Sequence, residues 1–80
     1  MDEEIFTKVC EILVNEFFVD SSGLQASNYL VTDLDLDSLE LLEFGSALEE
    51  HFGVEVNDED LKGDKTVGEV VALIQARKTQ

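Results

Sequence analysis

Between Lys8 and Lys62 the chain has no lysine or arginine, and residues 9–61 hold 14 aspartates and glutamates. The remaining residues balance, five acids against five bases, so the formal net charge of −14 belongs wholly to this central stretch. Such a concentration costs a small domain self-repulsion; scattered acids would only keep the protein soluble, whereas their gathering in one stretch favours a surface that docks basic partners. It excludes nucleic acid, whose phosphates demand Lys and Arg, and it excludes anionic membrane surfaces.

Eighty residues, 44% of them hydrophobic, at a mean hydropathy of −0.03, make one small domain over residues 1–80 with a lean core. No segment approaches the roughly 20 consecutive apolar residues that span a bilayer. The start, Met1-Asp2-Glu3-Glu4, is acidic where a secretory signal is basic, so a cytoplasmic location is expected. One cysteine, Cys10, and one histidine, His51, exclude an internal disulfide and a structural zinc site, and no metal is expected.

From Asp2 to Phe18 the apolar residues Ile5, Phe6, Val9, Ile12, Leu13 and Phe17 recur every three or four positions, which predicts an amphipathic helix. Asp20-Ser21-Ser22-Gly23 signals its end. Residues 20–36 form a long connection, of the kind that is functional or contains an extra turn. Asp37 with Glu40 makes an acidic capping box that opens a second helix over Ser38 to Phe52, stopped by Gly53. Asp58 to Leu61 can form one turn, and Thr66 with Glu69 opens a last helix running to about Arg77. Glu55 and Val56 are too few for a strand. The expected fold is all-α: a small four-helix bundle with three principal helices, one short helix and a long first loop.

The second helix carries the functional information. At about 100° per residue, Leu41, Phe44, Gly45, Leu48 and Phe52 share one core-facing stripe. Leu39 and Leu42 fall on another side with Glu43, Ser46 and Glu50, flanked by Glu49. Leucines among glutamates off the core stripe either pack on a second element or meet a partner. Ser38 occupies the first helical position, where unpaired N–H groups and the helix dipole favour phosphate.

Thr32-Asp33-Leu34-Asp35-Leu36-Asp37-Ser38-Leu39-Glu40 resembles the segment of acyl carrier proteins in which a serine receives 4′-phosphopantetheine. Residues 48–56, the Asp58-Glu59-Asp60 turn and the Thr66–Val71 stretch resemble the later segments of that family, in the right order. The resemblance implies an acyl carrier rather than an enzyme, with Ser38 attacking the β-phosphate of coenzyme A on a phosphopantetheinyl transferase. It also implies a monomer that shuttles thioester-bound acyl groups between basic-surfaced synthases and acyl-transferring enzymes of fatty acid, polyketide or related lipid biosynthesis. By the same resemblance Asp37, Leu39, Glu40, Leu42, Glu43, Ser46, Glu49 and Glu50 form the recognition surface, with Asp58 and Glu59 a secondary patch. Leu41, Phe44, Leu48, Phe52 and Val71 line the core that takes in the acyl chain in some carriers.

Three positions depart from the family pattern: Asp35 stands at a usual glycine, Ser46 at a frequent methionine and Gly45 at a common branched apolar residue. Gly45 makes room for something bulky, either the Phe44 ring or an acyl chain, and the departures together favour a specialised pathway. Among competing readings, Asp33, Asp35 and Asp37 copy the start of a calcium loop, but Ser38 and Phe44 stand where its glycine and glutamate belong. A Ser38–His51 hydrolase pair would be about 20 Å apart along one helix. Cys10 reads as a small buried hydrophobe. An acidic helical adaptor without a prosthetic group remains the alternative.

Overall fold

The computed structural model describes residues 1–78 and contains α1 (Glu3–Phe17), α2 (Ser38–Phe52), a short 3-10 helix (Asp58–Leu61) and α3 (Val67–Lys78). Among these residues there is no strand, only an isolated bridge between Tyr29 and Thr66. The all-α reading therefore stands.

α1 starts where Asp2 accepts hydrogen bonds from the backbone N–H groups of Glu4 and Ile5 at 3.0 and 3.1 Å. It buries Ile5, Val9, Ile12 and Leu13. Its end falls before the Asp20–Gly23 signal. Phe18 adopts the left-handed conformation, φ +59°, and its N–H and that of Val19 both reach back to the Leu13 carbonyl. That geometry costs an L-residue about 1–2 kcal/mol and usually belongs to glycine, so the sequence carries no cue for it.

The connection from α1 to α2 is pinned along its length. Leu30 donates its N–H to the Lys65 carbonyl, Val67 donates to Asn28 and Gly68 to Ala26, at 2.9, 3.0 and 2.9 Å. A Cβ on Gly68 would stand 3.2 Å from the Ala26 carbonyl oxygen, so the missing side chain is what lets the loop close on α3. Leu30 and Leu36 are buried, and turns over residues 29–36 join them. Asp35 lies in these turns at φ +60°. The left-handed geometry explains a glycine preference at this position, and aspartate is among the few L-residues that also adopt it. Asp64 accepts from the Thr32 hydroxyl and from the Val31 and Thr32 N–H groups, which holds its carboxyl below the usual range.

α3 opens with the expected capping box, Thr66 and Glu69 exchanging bonds of 2.9 and 3.1 Å. The core joins all elements. Val9 and Leu13 of α1, Phe44 and Leu48 of α2, and Val67, Val71 and Ile74 of α3 are fully buried. The Phe17 ring meets Phe44 edge-on, centroids 5.7 Å apart.

Arg77 fastens the short helix to α3. Its guanidinium donates to both oxygens of Asp60, at 3.0 and 3.1 Å, and to the Glu55 carbonyl at 2.6 Å. The Arg77 bond, with help from the Asn57 N–H, holds the Asp60 carboxyl below its usual pKa. A depressed carboxylate pKa contributes stability that is present above the unfolded-state pKa and lost as pH falls through the folded one. Arg77→Gln is therefore expected to be less stable than the parent at neutral pH. The gap should close as pH drops below roughly 4, which urea unfolding across pH would show.

Candidate functional site

The capping box sets the site. Asp37 accepts the Glu40 N–H at 2.8 Å, and Glu40 in return accepts the Asp37 N–H at 3.1 Å. This places Ser38 as the first residue of α2, exposed, its hydroxyl free of any partner among the described residues. The free N–H groups of the first turn and the positive end of the helix dipole suit a phosphate attached there.

Leu39 is 65% exposed and Leu42 49%. Glu43, Ser46, Glu49 and Glu50 are exposed with them. The buried side of α2 holds Phe44, Gly45, Ala47 and Leu48, while Leu41 and Phe52 are half-buried at its edges. Ala47 extends the predicted stripe. The two leucines thus stand clear of the core, among carboxylates.

A groove of about 440 Å³ runs between this face of α2 and residues 56–64. Gly45, Val56 and Leu61 are its buried lining, and Ser38, Leu42 and Asp58 its exposed rim. Apolar side chains thus lie beside Ser38 in one groove. Gly45 shapes the floor: a Cβ there would sit 3.4 Å from Leu61 Cδ1 and 3.8 Å from Val56 Cγ1. What packs over Gly45 is therefore Leu61, while the Phe44 ring turns to Phe17. Ordinary contact at 3.4 Å accommodates a methyl group, so Gly45→Ala should raise stability by about 0.5–1 kcal/mol. Urea denaturation checks this.

Of the residues expected to take in an acyl chain, only Leu41 lines the groove. Phe44, Leu48 and Val71 are buried in the core, as expected, and are not part of the groove lining. Phe52 lies under the Lys78 ammonium, 5.8 Å from its ring centroid. Val56 and Leu61, apolar residues on either side of the acidic turn, line the groove with Leu41. The only sequence signal was their hydrophobicity, because their packing over α2 depends on the chain folding back.

The acidic residues divide by duty. Glu40 is half-buried and caps the helix, and Glu49 accepts the Val56 N–H at 3.1 Å, so both also hold structure. Asp58 stands on the groove rim, whereas Glu59 faces a separate depression with Lys65 and Glu69. Asp33 and Asp37 each turn to a backbone N–H, at 2.7 and 2.8 Å, in capping rather than cation-holding geometry. His51, at the far end of α2 from Ser38, bonds Glu16 at 3.0 Å and cannot serve as its base. Cys10 is half-buried rather than buried, and burial pushes its thiol pKa up, away from reactivity.

Residues 7–74 match the family described as Phosphopantetheine attachment site. The acyl carrier protein of Lactobacillus acidophilus is 36% identical over 77 residues, covering 96% of each chain. That of Prochlorococcus marinus is 41% identical over 76 residues, covering 95% of each. The meromycolate extension acyl carrier protein of Mycobacterium bovis is 41% identical over 73 residues, 91% of this chain and 64% of that one. A solved acyl carrier protein from Enterococcus faecalis superposes with a TM-score of 0.77 at 35% identity, covering 94% of this chain and 95% of that one. The chain belongs to the acyl carrier protein family, whose members carry acyl groups on covalently attached 4′-phosphopantetheine.

Proposed function

We propose that Ser38 is the attachment point and that residues 1–80 form one carrier domain, acting as a cytoplasmic monomer. The observation that carries this is the unpaired, exposed Ser38 hydroxyl at the start of α2, on the rim of the groove. On a phosphopantetheinyl transferase the Ser38 oxygen attacks the β-phosphate of coenzyme A, gives up its proton and releases adenosine 3′,5′-bisphosphate. Once attached, the arm supplies a thiol that holds acyl groups as thioesters.

Asp37, Leu39, Glu40, Leu42, Glu43, Ser46, Glu49 and Glu50 present the recognition surface, with Asp58 extending it across the groove and Glu59 to its far side. The exposed leucines support short-range apolar contact, and the carboxylates steer basic synthases and acyltransferases quickly and reversibly. Asp35, Gly45 and Ser46, which depart from the common pattern, favour a pathway dedicated to a particular acyl group. No described helix is long and apolar enough to cross a membrane.

Incubation with coenzyme A and a broad-specificity phosphopantetheinyl transferase tests the reading. Intact mass should show one added arm per chain; no addition with several such enzymes would favour the adaptor without a prosthetic group. Glu43→Lys should slow association with a basic partner enzyme and flatten the salt dependence of the rate. Stopped-flow measurements over a salt series check this, and an unchanged slope removes the electrostatic half of the mechanism.

A further inference from the structure

The left-handed residue that ends α1 is also the most exposed aromatic side chain described. Phe18 has φ +59° and is 90% exposed. Single exposed apolar residues are ordinary on proteins, but a bulky L-residue in this conformation is an outlier, and glycine adopts it without strain. Here both costs fall on one residue whose ring gains little from the core. Phe17, its neighbour, already supplies the ring that packs on Phe44.

Phe18 stands over a depression of about 310 Å³, with Val19, Leu24 and Leu34 as its apolar wall and Asp20 and Asp33 as its charges. No lysine, arginine or histidine lines it, and it shares no residue with the groove beside Ser38. Both carboxylates are held in place: Asp20 accepts the Ser22 N–H at 2.8 Å and Asp33 the Tyr29 N–H at 2.7 Å. A projecting ring framed by fixed negative charges complements an apolar slot rimmed by Lys or Arg, with the rim able to reach both the carboxylates and the ring face. A second copy of this chain, also at −14, would be repelled.

We propose that Phe18 anchors a second docking surface, separate from the α2 face, for a protein partner with a cationic rim around an apolar slot. A photoreactive p-benzoylphenylalanine placed at position 18 of the phosphopantetheinylated chain, and separately at position 39, is irradiated in an extract of the organism that makes the protein. The protein captured at position 18 is then purified, and its binding to the unmodified sequence, to Phe18→Gly and to Asp20→Asn/Asp33→Asn is measured over a salt series. The expected result is a partner whose affinity falls at least about tenfold in Phe18→Gly and whose salt dependence flattens in the double variant. Phe18→Gly should melt a few degrees above the parent and accept the arm at the parent's rate.

Capture at position 39 but not at 18 would overturn the proposal while leaving the Ser38 reading intact. So would a captured protein that binds Phe18→Gly as tightly as the parent, or an adduct only with a second copy. A lower melting temperature for Phe18→Gly would assign the ring to folding instead.

Discussion

Ser38→Ala will take up no phosphopantetheine, and its intact mass will stay at that of the unmodified chain after incubation with coenzyme A and a transferase that loads the parent. The loss should be complete because the oxygen removed is the nucleophile itself. The variant should remain folded: the Ser38 hydroxyl has no partner to lose, the capping bonds run between Asp37 and Glu40, and alanine is the better helix former. An unchanged circular dichroism melt beside the missing mass separates loss of chemistry from loss of structure. Full loading of the alanine variant would move the attachment point elsewhere.

Phe44→Ala has the largest expected effect on stability. Its side chain has no exposed surface and stands edge-on against Phe17. Truncating a buried phenylalanine costs about 3–5 kcal/mol through lost transfer energy and a residual cavity. At roughly 0.05–0.15 kcal/mol per residue, a chain of 80 residues has about 4–12 kcal/mol in all. The variant should therefore lose about a quarter or more of its stability, seen as a lower urea midpoint. Because α2 presents Ser38 on one side and Phe44 on the other, phosphopantetheine uptake should fall with the folded fraction. A loss below about 1 kcal/mol would mean that Phe44 is not the centre of the core.

Local signals made most of the helical plan legible. Asp37 with Glu40, and Thr66 with Glu69, mark their helix starts through bonds to residues three positions away, and Gly53 marks a helix end. Those interactions are written within one turn, and so is the 3.6-residue period that puts Leu39 and Leu42 off the core stripe. The extent of α1 was legible too, but not the left-handed turn that ends it, because Phe18 takes a conformation that its own side chain disfavours and that the surrounding chain imposes. Nor was the divided duty of the acids, since Asp60 faces Arg77 from 17 positions away and Glu49 reaches past the end of α2 to the Val56 N–H.

Charge segregation, helix starts and the serine at the mouth of α2 were determined by sequence alone, since each rests on residue type and short spacing. Tertiary structure decided what lies over Gly45, which apolar residues line the groove, and that Phe18 stays out of the core. These depend on contacts between segments distant along the chain, whose approach is set by packing the whole core and not by any local preference.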